Sequence, residues 1–320
     1  MNSTSRDIII SGWRENTKKG YVQILKLWQK YCQDKNIEIS SPSLEQGINF
    51  LSHLFEQGFS YNRICVARSA LSSFVFGAKG FGSNFLVTKF MKGCFEKRPN
   101  FKNCSKIPRW NVGDVLDCIM RWFPNEEISL KDLSIKCAFL LIISTGQRIQ
   151  TLSKIKIKNI FFKEENCWIV IDQLLKHSRS KTQQAPLEFS GFKDNEALCP
   201  IKTLKDYLSR TKEIRNNKEI GHEQLFISFR KPHNAVHAES ISRWIKEVLI
   251  RSGVSKEVTA YSARSISTST ASAAGVPINC ILKAAGWSSQ LTFAKYYKKD
   301  VDIKFNSYLK GKLNINVSFY

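Results

Sequence analysis

"YSARSISTSTASAAGVPINCILKAAGWSSQLTFAKYY", residues 261–297, is the stretch whose reading decides this chain. Its helix-like segments are broken at Gly275 and Gly286, and glycine ends helices because it adopts left-handed backbone angles without a Cβ clash. A lone Trp287 follows the second glycine, and two adjacent tyrosines, Tyr296 and Tyr297, close the stretch. One residue turns a helix by about 100°, so the two phenols point in different directions. One role open to such a pair is packing; the other is that of a nucleophile.

Working back towards the N-terminus, "SLKDLSIKCAFLLIISTG" ends at Gly146, which stops a mostly buried helix capped by Ser129. A shorter helix is expected at about 113–122. Directly after the glycine comes "GQRIQTL", with Arg148. "CWIVIDQLL" at 167–175 and "APLEF" at 185–189 have strand character, and the basic turn between them holds Lys176 and Lys181. Helices return at about 203–213 and 239–251, the second with Ile241, Trp244, Ile245, Val248 and Leu249 on one face.

The first hundred residues read as a small all-helical domain. Residues 13–34 place Tyr21, Ile24, Leu25, Trp28 and Tyr31 at helical spacing. "SLEQ" at 43–46 is a capping box, Ser43 being the cap and Gln46 reaching back. Further helices are expected near 61–77 and 84–97. Between residues 61 and 110 lie ten Lys or Arg against one acid, Glu96, with Phe90, Phe95 and Phe101 interleaved. Such one-signed charge suits contact with a phosphate backbone, and Arg63, Arg68, Lys79, Lys89, Lys92, Lys97 and Arg98 are the candidate contacts. "RPNFKNCSKIPRW" at 98–110 has two prolines and no periodicity, so the domains are expected at 1–100 and 113–320 with a linker over 101–112.

Composition narrows the partners. The 320 residues carry a net charge of +22, which predicts a polyanionic partner, nucleic acid before an anionic membrane. The longest apolar run, "CAFLLIIS" at 137–144, is too short to span a bilayer, and "MNSTSRDIII" has neither the apolar core nor the cleavage site of a secretory signal. Nine cysteines without a C-x-x-C pair point to reduced thiols. With five histidines, none beyond His237, a zinc site has few candidate ligands.

The order of Arg148, a lysine in a hairpin turn, "YSAR", "AGW" and the tyrosine pair resembles the tyrosine recombinases, the phage-integrase family, with Cre-type spacing of the boxes. The phrases "GQRIQTL", "SRW", "YSARSISTS" and "GWSSQLTFAKYY" resemble most the recombinases of eukaryotic mobile elements, the DIRS-like and crypton-like groups. The resemblance covers nearly the whole chain. It implies a mainly α fold: a helical, SAM-like core-binding domain, then a mostly helical catalytic domain with a small antiparallel sheet. It implies DNA cleavage and rejoining through a covalent 3′-phosphotyrosine, without metal, ATP or other cofactor. Double-stranded DNA would be the substrate and a tetramer the working assembly. By the same resemblance the protein is nuclear.

The chemistry suits these residues. A phenol forms a phosphodiester close in energy to the one it breaks, so cleavage is reversible. Arg148 and Arg264 offer planar, permanently charged donors to the non-bridging oxygens. A lysine on the hairpin serves as general acid; Lys176 matches the family position and Lys181 is the alternative. Trp287 stands in the third box and donates through its indole N–H. Cre-type spacing makes Tyr296 the nucleophile, whereas the mobile-element pattern favours Tyr297, with Tyr296 as its packing neighbour. Two positions depart from the family. Tyr261 replaces the histidine before x-x-Arg, and Thr151 replaces the acid three residues after the first arginine. They keep open a DNA-binding derivative that no longer recombines. A type IB topoisomerase-like enzyme is the other alternative.

Overall fold

The computed structural model describes residues 2–77, 80–99, 110–175, 178, 185–216 and 223–298. The chain divides into two compact units, Met1–Ser105 and Lys106–Tyr320.

In the first unit α1 (Ser3–Ser11), α2 (Glu15–Lys35), α3 (Leu44–Glu56), α4 (Tyr61–Phe74) and α5 (Phe85–Lys97) follow one another. The capping box at α3 forms as its sequence predicts. Ser43 Oγ accepts from the Gln46 N–H at 3.1 Å, and Gln46 Oε1 accepts from the Ser43 N–H at 2.7 Å. The core joins Ile24 and Trp28 of α2, Phe50, Leu51 and Leu54 of α3, Ile64 and Leu71 of α4, and Val87 and Met91 of α5. Helix α1 was not legible in the sequence. It buries no residue, and its visible support is local, Asn2 Oδ1 accepting from the Ser5 N–H at 2.8 Å. With no buried face there is no apolar periodicity to read.

The second unit is built around α7 (Leu130–Thr145), capped by Ser129 and stopped by Gly146 as expected. Leu133 through Ile143 are all buried, since α6 (Val112–Met120), α9 (Pro200–Asn216), α10 (Ala238–Arg251) and α11 (Ser262–Ala273) share its core. A helix apolar on every side is a core helix. One charge is admitted: the Lys136 ammonium donates to the Trp122 carbonyl at 2.7 Å and to Asn125 Oδ1 at 2.8 Å, and burial pulls its pKa down to about 8. All five apolar residues assigned to one face of α10 are buried. Helix α9 starts three residues before its expected start because Pro200 sits in the first turn, where its missing N–H costs nothing.

The sheet is antiparallel, in the order β1 (Ile160–Lys163), β2 (Asn166–Ile169), β3 (Leu187–Ser190). Two expectations are corrected here. Strand β1 has no counterpart in the sequence reading, because its hairpin turns on Glu164 at φ 52°, a residue that does not advertise a left-handed turn. Strand β2 ends at Ile169 rather than 175, because its partners run out there: Ile169 pairs with Ile160 on one side and with Leu187 on the other. The basic turn with Lys176 and Lys181 lies outside the described residues, as do Lys79, most of the expected linker and the C-terminal tail.

After α11 the chain breaks at Gly275 and forms α12 (Ile278–Ala285), then breaks at Gly286 and forms α13 (Gln290–Tyr296). Gly286 has φ 65°, and the Trp287 N–H reaches back to the Leu282 carbonyl at 2.8 Å. That bond is the long one of a Schellman motif, which folds the residue after the glycine back over the helix it ends. So Trp287 is turned inward, into a cluster with Ile281, Ala285, Phe293 and Tyr297. Among the described residues no helix is long and apolar enough to cross a membrane.

Candidate active site

The site is assembled on α11. Arg264, in its first turn, is 1% exposed. Its guanidinium carbon lies 4.5 Å from the centre of the Trp287 ring and 5.2 Å from that of Tyr297. One terminal nitrogen, Nη2, donates to the Ala285 carbonyl at 2.8 Å. Its Nε and Nη1 are buried without an acceptor among the described residues, as is the Trp287 indole N–H. Leaving a donor unmet in the interior costs about 1–3 kcal/mol. Three of them on two side chains in contact suit an anion rich in oxygen.

Tyr261 stands at the entrance to α11, 54% exposed, and its hydroxyl donates to the hydroxyl of Tyr297. Trp287 and Tyr297 stack obliquely, with ring centres 4.4 Å apart. Burial, then the hydrogen bond with Tyr297, pushes the Tyr261 phenol up to about 12, against the pull of Arg264 and Arg148. Burial pulls Arg264 down to about 10, and the like charge of Arg148 adds to the fall. Both groups keep their protons at neutral pH.

Arg148 stands at the N-cap position of the short helix α8 (Ile149–Leu152). The link that brings it here is the turn before it. Gly146 has φ 60°, and a Cβ there would lie 2.9 Å from Thr268 Cγ2, so the end of α7 seats directly on α11. Gln147, fully buried, donates from Nε2 to the Ala284 carbonyl. Gln147 and Arg264 thus hold consecutive carbonyls of the last turn of α12. The "STS" triplet of α11 makes the other ties. Ser267 Oγ donates to the Ile143 carbonyl at 2.5 Å, Thr268 meets Gly146, and Ser269 Oγ donates to the Tyr297 carbonyl at 2.9 Å. Sequence reasoning missed Gln147, Ser267 and Ser269 as parts of the site. They stood inside the resembling phrases, but which backbone each one holds is a tertiary fact.

So Tyr261, Arg264, Trp287 and Tyr297 come together, with Arg148 within electrostatic reach. Tyr296 does not join them. It was expected to pack, and instead is 60% exposed with the Lys295 ammonium 5.4 Å from its ring centre; Tyr297, at 6%, is the buried one. Thr151 is buried one turn after Arg148. Lys176 and Lys181 are outside the described residues.

Of the basic residues of the first unit, Lys89, Lys92 and Lys97 of α5 are exposed, Lys89 and Lys92 on the side away from Val87, Met91 and Cys94 and Lys97 at its flank. Lys89 sits 5.5 Å from the Phe85 ring centre, and the Arg98 guanidinium 3.8 Å from that of Phe55. Arg63 is half-buried and donates to Gln23 Oε1 at 2.7 Å; Arg68 is half-buried too.

The sequence pattern of the phage integrase family matches residues 114–302. The fold is similar to that of the Tn1549 transposon integrase in complex with transposon right end DNA, at a TM-score of 0.59 and 15% identity over 96% of this chain and 97% of the other. It is similar to a lambda integrase dimer bound to a COC′ core site, at 0.54 and 18%, covering 93% and 77%. It is also similar to the XerH site-specific recombinase bound to difH, at 0.55 and 14%, covering 91% and 78%. At these identities the likeness is one of fold. Among curated proteins none matches the chain.

Proposed function

This chain belongs to the phage integrase family, and from that premise we propose that it is a site-specific DNA recombinase of a mobile element, acting through a covalent 3′-phosphotyrosine. The observation that carries the reading is the meeting of the Tyr297 and Tyr261 hydroxyls beside the buried guanidinium of Arg264. Tyr297 Oη attacks the scissile phosphorus. The Oη–P bond forms, the P–O5′ bond breaks, and the phenolic proton passes to solvent. Lys176 protonates the departing 5′-oxygen, Lys181 being the other candidate. Arg264 and Arg148 stabilise the charge on the non-bridging oxygens, and the Trp287 N–H donates to one of them. Tyr261 orients the attacking hydroxyl. The reverse reaction rejoins the strand, and because the ester bonds are similar in energy neither direction draws on ATP.

We place Lys89, Lys92, Lys97 and Arg98 against the phosphate backbone of the duplex. The working assembly is a tetramer with one tyrosine per strand. On the resemblance to recombinases of eukaryotic mobile elements, we propose the nucleus as its compartment.

The test is covalent capture on nicked duplexes carrying the DNA that flanks the coding sequence, resolved under denaturing conditions. Wild type and Tyr296→Phe are expected to form an adduct, and Tyr297→Phe to form none. Salt-sensitive binding without an adduct in any chain would favour the second reading, a DNA-binding derivative that no longer recombines. The tyrosine at position 261 is the observation behind that alternative.

A further inference from the structure

Two adjacent tyrosines end the α13 segment, and a hydroxyl from another helix holds one of them. Tyr297 is the residue at which α13 stops. Its N–H still donates to the Phe293 carbonyl at 2.9 Å, but its own carbonyl lies past the last helical turn. Carbonyls at a helix end have no donor within the helix. Here the donor is Ser269 Oγ of α11, at 2.9 Å. Ser269 is 2% exposed and Tyr297 6%, so the bond is made in the interior. Ser269 is itself firmly seated, because the two residues before it tie α11 to the end of α7 through the Ile143 carbonyl and Gly146. It also shares its helix with Arg264, so one rigid element carries both the charge and the tether of the phenol.

We propose that Ser269 is the positioning residue that selects the nucleophile. By holding the carbonyl of residue 297 it sets the rotational phase at the end of α13. Tyr297 then faces Arg264 and Tyr261, while Tyr296 faces outward. Slippage of this turn by one residue rotates it by about 100° and carries Tyr296 towards the place Tyr297 left. The inference rests on the reading above that one of these tyrosines attacks the phosphate.

Wild type, Ser269→Ala and Ser269→Thr are incubated with the same nicked flanking-sequence duplexes. Each adduct is digested, and the DNA-linked tyrosine is identified by mass spectrometry of the peptide. Wild type is expected to label Tyr297 alone. Ser269→Ala is expected to lower Tyr297 labelling about tenfold, in keeping with the loss of one buried hydrogen bond, and to place part of the remaining adduct on Tyr296. Ser269→Thr, which keeps the hydroxyl, is expected to restore Tyr297. A serine that only stabilised the fold would lower the yield without changing the tyrosine, so a Ser269→Ala adduct confined to Tyr297, at any yield, overturns the proposal. Should the alanine chain fail to fold, Ser269→Cys keeps the size, weakens the donor and is read by the same labelling. No adduct in wild type overturns the parent reading and this one together; an adduct indifferent to Ser269 overturns this one alone.

Discussion

Tyr261 shows how a single position sets the pH response of the site. Its phenol, raised to about 12 by burial and by Tyr297, feels the charges of Arg264 and Arg148, and Arg264 keeps its charge up to about 10. Neither Tyr261 nor Arg264 changes charge near neutrality. Adduct formation by the wild type is therefore expected to show no inflection from this position between roughly pH 6 and 9. Tyr261→His introduces a group whose ordinary value is about 6.5. The two nearby arginines disfavour its protonated form and pull that value down. Neutral imidazole accepts the Tyr297 proton and imidazolium does not, so the rate should rise with pH through an inflection below about 6.5. A pH–rate profile of adduct formation checks this; a flat profile for the variant would sink the assignment of Tyr261 as partner of the attacking hydroxyl. The type of residue at 261 was plain in the sequence. Its bond to Tyr297, 36 residues away, was not.

At the scale of elements, the site depends on how closely the end of α7 seats on α11. Gly146→Ala combines a left-handed φ with a Cβ 2.9 Å from Thr268 Cγ2. It is expected to cost about 1–3 kcal/mol of stability and to displace Arg148 from Arg264, slowing cleavage. Gly253 is the control, at φ 80° with open space around its missing Cβ. Gly253→Ala should lose stability from backbone strain while keeping the cleavage rate of the folded protein. Melting curves and single-turnover cleavage of the two variants separate close approach from backbone strain. Elements with a strong local signal were legible, as the Ser43 capping box and the apolar face of α10 illustrate. Strand β1 and helix α1 were not. The first turns on a left-handed glutamate and the second buries nothing, so neither leaves a pattern in composition.

At the scale of the molecule, a net charge of +22 suits a polyanionic partner. Lys89, Lys92 and Lys97 are exposed on α5, and each phosphate they neutralise should contribute about 0.9 to the slope of log affinity against log salt. The triple change to glutamine is expected to lower that slope by up to about three, with little effect on which DNA sequence is preferred. Binding to duplex DNA over a range of NaCl concentrations measures it; an unchanged slope would place the DNA on another surface.

The sequence by itself determined where the helices around the site break, at Gly146, Gly275 and Gly286, because left-handed glycines act within a few residues. It also determined the ordered set of Arg148, Arg264, Trp287 and the tyrosine pair, because these side chains are chemically distinctive. It left open which tyrosine turns inward. Only the tertiary structure decided that, through Ser269, 28 residues upstream of Tyr297, and through the Gly286–Trp287 turn that folds α13 back towards Arg264. The physical reason is that a helix end has no preferred rotation of its own. Its phase is set by whichever buried donor meets its last carbonyl.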